Sequence, residues 1–478
     1  RLGDWSVLAR GRFVRSDNDW DYLDDRRTPY NPDDDRVVGR VNNDALGFGG
    51  QVQLSRPALG GTLRLSEILD TREQGLPGRG VLQSETARSR SLTHHARLAW
   101  RSERRARGVL REVSLHHRSE RQEVRDLDGD LSGTPRDRAD VLHAVGLSAN
   151  GAARRYGPAV WSVETRVARL RSNDDALLDG AGEPQWRWTT AAALEPKWRT
   201  LDDRLLLSPG VRVEHHEQWW NESSSLASLP RGDALRTDLF AYTAQFGARY
   251  ELTDELSLKT NLGIFRRVPT LLELFGDRGT TAANPDLRPE EGVNSDVGLV
   301  WSRPLEGRRF AVNAFVNDAF DLITFVRTSP VTARARNLGR AEIRGLEFEA
   351  DFGRFGPFGF RAAVPRLWTE DLTDDAVAGG KQLPFRPGIE VEVQQSVHMG
   401  PVRTSFDLFA MGENYQQTGE RLAVPGRVIG SLGLRWNLSP AWALHGRVHN
   451  VSDADVHDFM GDPLPGRQIS LSLQAGAR

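Results

Sequence analysis

The 478-residue chain contains no cysteine, which excludes a disulfide framework, a thiolate metal site and a cysteine nucleophile. It has almost no lysine: only Lys197, Lys259 and Lys381 occur among 63 basic residues, so the other 60 are arginine. No apolar run approaches the ~20 residues that a membrane-spanning helix needs, and mean hydropathy is -0.49. A helical membrane protein is therefore excluded. The chain also lacks a charge excess, with 63 basic against 65 acidic side chains. That balance argues against a nucleic-acid binder held by bulk charge. It opens on Arg1 rather than methionine, which reads as a processed chain or a piece of a longer one. Low hydropathy leaves one class of membrane protein open. In a β-barrel only alternate residues face lipid, so each strand averages out as polar.

What is present is period two, the mark of strands. Leu92, His94, Ala96, Leu98 and Trp100 alternate with Thr93, His95, Arg97, Ala99 and Arg101. Phe240, Tyr242, Ala244, Phe246, Ala248 and Tyr250 alternate with Ala241, Thr243, Gln245, Gly247 and Arg249. Val428, Gly430, Leu432, Leu434 and Trp436 alternate with Ile429, Ser431, Gly433 and Arg435. No stretch sustains a helical period and no low-complexity linker divides the chain, so residues 1–478 read as one domain. About twenty strands can be placed, and the gaps between them run alternately long and short. Short gaps such as Thr253–Asp254 and Leu438–Ala441 contrast with long polar ones rich in Asp, Gly, Asn and Pro.

Long loops at one end and short turns at the other are the plan of an outer-membrane barrel. Tryptophans near strand ends, among them Trp5, Trp100, Trp161, Trp186, Trp301, Trp436 and Trp442, fit interfacial girdles. The fold class is therefore all-β, a transmembrane antiparallel barrel. Leu98, Phe240, Phe246, Leu432 and Leu471 should face outward, and Arg97, Gln245, Arg249 and Arg435 inward. A lumen so wide cannot be filled by its own side chains. It is either a water channel or holds a plug.

Several segments resemble the signatures of TonB-dependent outer-membrane receptors. Phe265-Arg266-Arg267-Val268-Pro269-Thr270-Leu271-Leu272-Glu273-Leu274-Phe275-Gly276 is followed by Asn284-Pro285-Asp286-Leu287-Arg288-Pro289-Glu290. Further on come Asn337-Leu338-Gly339-Arg340-Ala341-Glu342-Ile343-Arg344-Gly345-Leu346-Glu347, Leu383-Pro384-Phe385-Arg386-Pro387, Asn450-Val451-Ser452-Asp453 and Pro463-Leu464-Pro465-Gly466-Arg467. Their order and spacing carry the likeness. It implies a 22-stranded barrel around an N-terminal plug, whose box recruits TonB for energy. About twenty strands are present here, and no plug or box is found in the chain. Absence of the plug and of a first hairpin from the chain would explain both deficits. The signature residues also have plain structural readings. Pro269 and Pro285 cannot donate to a ladder, and Gly345 at mid-strand fits a bulge or a close backbone approach.

Candidate sites follow. Asp17, Asp19, Asp21, Asp33, Asp34 and Asp35, with Asp24 and Asp25 beside them, offer the oxygen ligands of a Ca²⁺ site. The competing reading is a solvated loop balanced by Arg26, Arg27, Arg36 and Arg40. Beyond that structural Ca²⁺, no cofactor is expected. The paired histidines His94-His95, His116-His117 and His215-His216 point to opposite faces of a strand, so no such pair chelates one ion. Arg266, Arg267, Asp277, Arg278, Arg249 and Arg435 are candidates for ligand binding in the loop and lumen. The competing reading pairs the lumen arginines with carboxylates of the wall or a plug.

The leading expectation is an active-transport receptor barrel for a scarce, bulky nutrient, a ferric siderophore or cobalamin. Its partners would be outer-membrane lipid, a plug domain, the TonB complex reached through that plug, and the nutrient itself; nucleic acid is not among them. A plugless passive porin is the alternative. An outer-membrane enzyme needs a nucleophile beside a base, and no Ser/His/Asp spacing supplies one.

Overall fold

The alternating pattern folds as it reads. A computed structural model describes residues 4–26, 28, 31–79, 82–103, 109–131, 133–153, 158–176, 183–220, 235–276, 281–327, 333–374, 376–458 and 462–475. Twenty long strands run through it. They are β1 (Ser6–Ser16), β2 (Ala45–Ala58), β3 (Gly61–Gly75), β4 (Arg88–Ser102), β5 (Val109–Asp126), β6 (Arg136–Ala153) and β7 (Ala159–Asp174). Next come β8 (Gln185–Pro196), β9 (Leu205–Trp220), β10 (Leu235–Glu251), β11 (Leu256–Arg267), β12 (Glu290–Arg303), β13 (Arg308–Arg327) and β14 (Ala333–Phe355). The last are β15 (Phe358–Asp371), β16 (Glu390–Met399), β17 (Val402–Met411), β18 (Arg427–Ser439), β19 (Trp442–His449) and β20 (Gln468–Ala475). Each pairs antiparallel with the next in chain order. Two short segments, Trp198–Thr200 against β9 and Thr281–Ala282 parallel to β14, bring the sheet to 22 strands.

A meander of this kind sends alternate connections to opposite rims. The tight turns lie at one rim, as at β2–β3, where Leu59 (φ 53) and Gly60 (φ 68) both take the left-handed conformation. Two successive positive φ values match the right-handed twist of the flanking strands. Arg56, Pro57 and Ala58 continue the ladder opposite Leu63, Thr62 and Gly61, so the turn itself is only Leu59–Gly60. The other rim carries the long connections, and among the described residues these hold three small hairpins, Asp21–Asp24 with Arg36–Gly39, Gly78–Arg79 with Leu82–Gln83, and Asn414–Gln417 with Arg421–Val424.

Register fixes the two faces. Leu65, Leu98, Leu115 and Leu147 are successive cross-strand partners and form one apolar row. One residue along, Ser66, Arg97, His116, Gly146, Arg166, Thr189 and His216 form a polar row on the opposite face. Leu98, Phe240, Phe246, Leu432 and Leu471 belong to the apolar face and are well exposed there, as a surface that meets lipid must be. Arg97, Gln245, Arg249 and Arg435 alternate with them on the polar face. The one cluster of buried apolar side chains, among the described residues, is small and lies at the long-loop rim: Leu274, Leu287, Ile323 and Ala335, with Phe275 against it.

Among the described residues β1 is laddered only to β2, and β20 only to β19. No ladder among the described residues joins β1 to β20. Ile469 and Leu471 on β20 are 79% and 74% exposed, and Phe13 on β1 is 61% exposed.

Candidate functional site

The polar face and the long-loop rim are where a solute can meet this protein. At the end of β11 the chain leaves the ladder at Pro269, and Thr270 then caps a short helix, α1 (Leu271–Phe275). The Thr270 hydroxyl accepts from the Glu273 N–H (3.2 Å), and the Glu273 carboxylate accepts from the Thr270 N–H (2.7 Å). This reciprocal box satisfies two helix-start donors at once. Arg267 forks between two carboxylates, Glu273 and Glu290, at 3.0 Å each. Glu290 also accepts from the Ile323 N–H at 3.0 Å. Burial pushes the Glu273 carboxyl up, but the hydrogen bonds from Arg267 and the Thr270 N–H outweigh it and hold the group below its ordinary value.

The other signature segments lock onto this helix. Leu274 packs with Leu287, Ile323 and Ala335. Asn284 donates to the Ala335 carbonyl (2.8 Å). Asn337 donates to the carbonyls of Arg288 (3.0 Å) and Asp321 (2.8 Å) and accepts from the Arg288 N–H (3.0 Å). Arg187, on the inner face of β8, donates to the Pro269 carbonyl and to Gln218, each at 2.7 Å. Gly345 sits in an unbroken register opposite Phe315. A Cβ there would stand 2.3 Å from the Phe315 ring, so of the two readings close approach is the one observed and no bulge occurs. At the far end Asn450, fully buried, holds the Ala454 backbone through both its amide atoms, and Asp453 accepts from the Arg467 N–H (2.6 Å).

Charge on the inner wall is sorted by sector. On β3–β7, Arg64, Arg97, Arg101, Arg118, His116 and Arg166 surround a niche of about 730 Å³. Arg97 is paired with Glu112 and Arg118 with Glu120. On β13–β19 a second niche of about 680 Å³ is mixed in sign: Arg309 with Glu349, Arg361 with Asp351, and Arg447 with Asp407.

The residues expected to bind ligand do not gather in one place. Arg267 is committed to its two carboxylates. Arg266 follows Leu262 and Ile264 along the apolar face and pairs with Glu291 (3.4 Å), so it points away from the lumen. Arg249, paired with Glu251 (2.7 Å), and Arg435, donating to Asn437 (3.2 Å), face the lumen near the short-turn rim. Asp277 and Arg278 lie outside the described residues. Arg101 lies on the inner face with Arg97, as the alternation in the sequence places it, whereas Arg64, Arg166 and Arg187 were missed although the same alternation places them there too.

The acidic loop is an ordered hairpin. Asp21 pairs with Gly39, and Asp24 with Arg36. Asp33 and Asp34 lie in a single 3-10 turn, and Asp34 accepts from the Thr28 hydroxyl (2.8 Å). Among the described residues no three His, Asp or Glu side chains, those of Asp17, Asp19 and Asp35 included, are grouped to hold a metal ion. The loop is tied to its neighbour: Val41 donates to Gln83, Gln83 to the Gly39 carbonyl, and Arg88 forks onto Asp44 at 2.6 and 2.9 Å. Those hydrogen bonds from Arg88 hold the Asp44 carboxyl below its ordinary value. The paired histidines divide between faces as the strand geometry requires. His216 contacts Glu214 and Thr189 on the inner face, and His215 contacts Asp238 on the outer.

A wide antiparallel meander with an apolar outside, a charged inside and interlocked signature loops defines an outer-membrane barrel. The chain belongs to the TonB dependent receptor-like β-barrel family, whose sequence model matches residues 1–451. It is 24% identical over 320 residues to the vitamin B12 transporter BtuB of Vibrio vulnificus (strain CMCP6), covering 63% of this chain and 44% of that protein. The chain thus spans less than half the length of that relative. Two solved structures share its fold. The copper transporter OprC superposes with a TM-score of 0.77 at 17% identity, over 98% of this chain and 75% of that one. The ferric yersiniabactin uptake receptor FyuA from Yersinia pestis gives 0.72 at 15% identity, over 99% and 76%. The family is one of transport receptors and not of enzymes, and its place is the bacterial outer membrane.

Proposed function

We propose that this chain is the wall of an active-transport receptor for a scarce, bulky nutrient, a ferric siderophore or cobalamin, energised by TonB through a plug that occupies the lumen. The observation that carries the reading is the latch at the long-loop rim. Arg267, Glu273, Glu290, Asn284 and Asn337 spend their polar groups on one another, which fixes a rigid mouth above a lumen too wide for side chains to fill. The cobalamin preference is supported by the relative whose printed name is a vitamin B12 transporter. A passive porin shares the wall but not the need for energy. The test is uptake of radiolabelled cyanocobalamin and of a labelled ferric siderophore by cells carrying the full-length protein, with and without a functional TonB. Accumulation of one ligand that stops without TonB supports the proposal. Entry that is independent of TonB, and unsaturable, rejects it in favour of the porin.

A further inference from the structure

On six neighbouring strands, β4 to β9, one outward side chain each meets the next around the wall: His94, His117, His143, Arg169, Trp186 and Trp219. The His94 and His117 rings lie 5.7 Å apart, and those of His117 and His143 6.2 Å apart and near-parallel at 17°. His143 is the register partner of Arg169. The Arg169 guanidinium lies 5.5 Å over the Trp186 ring, and Trp186 stacks on Trp219 at 6.1 Å. Alternation fixes their face. Toward the short turns the same strands present Ala96, Leu115, Val145 and Val167. Toward the long loops they present ion pairs, Arg90 with Glu73, Arg121 with Glu123, and Arg125 with Asp137. The row therefore marks the border between the apolar band and the charged outer rim.

The charge in this row is unmatched. Elsewhere on the outer face, near this border, cations meet carboxylates: Arg266 with Glu291, Arg344 with Glu342, and Arg340 with Asp318. His94, His117, His143 and Arg169 form none of the described ion pairs; their neighbours are one another's rings and Trp186. The Arg169 Nε is buried and, among the described residues, has no hydrogen-bond partner. Donors without an anion, flanked by tryptophans at an interfacial level, suit one kind of occupant.

We propose that this row docks the phosphate-bearing headgroup of an outer-leaflet lipid. The Arg169 fork donates to phosphate oxygens, and the imidazole N–H groups donate beside it. The acyl chains then lie on Leu115, Val145 and Val167. Phosphatidylcholine offers only a phosphodiester already neutralised by its own ammonium, lipid A offers anionic phosphate monoesters, and free phosphate gains the donors without the acyl contacts. The test uses the full-length protein extracted in mild detergent, with diphosphoryl lipid A, phosphatidylcholine, or sodium phosphate at equal phosphate concentration. Native mass spectrometry should show lipid A retained on the protein, and melting should rise with lipid A alone. H117Q/H143Q/R169Q should weaken lipid A binding by about tenfold or more, while R344Q, on a distant part of the outer face, should leave it intact. These side chains face lipid rather than a core, so folding is checked simply by heat-modifiable migration. Should the triple variant fail that check, R169Q alone serves, read in the same way. Unchanged lipid A binding in the folded variant, or an equal melting shift from inorganic phosphate, overturns the proposal.

Discussion

At the scale of single residues, Arg267 and Gly345 bear the most weight. Arg267→Ala strips the common cation from Glu273 and Glu290, both 11% exposed at the side chain, while Arg267 itself is 37% exposed. Discounted for that exposure, the loss should be roughly 1–2 kcal/mol, read as a lower melting temperature in detergent. The pH dependence has a definite sign. Glu273 titrates lower in the folded protein than in the unfolded chain. Its contribution is therefore complete above the ordinary carboxylate value and is lost as pH falls through the lower folded value. R267A should flatten this acid limb; an unchanged limb would show that the pair contributes nothing. Gly345→Ala places a methyl 2.3 Å from the Phe315 ring and should cost roughly 1–3 kcal/mol. Phe315→Leu in the same chain should recover most of that loss, because the ring is what the methyl meets.

At the scale of elements, the strands were legible and the loops were not. Period two placed all twenty long strands, because a wall with lipid on one side and water on the other enforces strict alternation. Arg266 and Arg267, both offered as ligand residues of the loop, belong to the end of the β11 ladder instead and so fall on opposite faces. The helix Leu271–Phe275 is five residues long, too short to show a period; its capping box, Thr270 with Glu273, was the one available signal. The acidic residues of the first long loop were readable as charge but not as a hairpin, since the loop is held through Val41, Gly39 and Asp44 by Gln83 and Arg88, some 40 residues further along the chain. The signature segments came through as structure, which is what the latch shows. Asn337 holds three backbone groups of that latch, one of them the Arg288 N–H, so Asn337→Ala should raise deuterium uptake at the Arg288 amide and leave β10 unchanged. Uptake that rises evenly across the protein would mean that the latch is not a separate unit.

At the scale of the whole molecule, the inner wall is wet and charged, with one niche rich in arginine and the other mixed in sign. The 478-residue chain, inserted in a planar bilayer, should conduct ions steadily without any nutrient present. Folded, inserted protein that stays silent would show that a loop of this chain closes the lumen, with Arg266–Glu290 the first segment to delete. The lack of a ladder between β1 and β20, among the described residues, has a mechanical consequence. A closed hoop of hydrogen bonds has a set circumference, because widening it stretches every ladder together. A slit hoop can gape or overlap at its one free joint while the other ladders stay intact, so strand number does not set its bore. Conductance should then be spread between molecules and drift within one. Since the chain carries no cysteine, two introduced thiols, at Ala9 and Leu471, can be bridged by a flexible bis-thiol reagent without side reaction. Stapling that joint should draw the scattered conductances into one narrow level, as closing a clasp turns a strip into a ring.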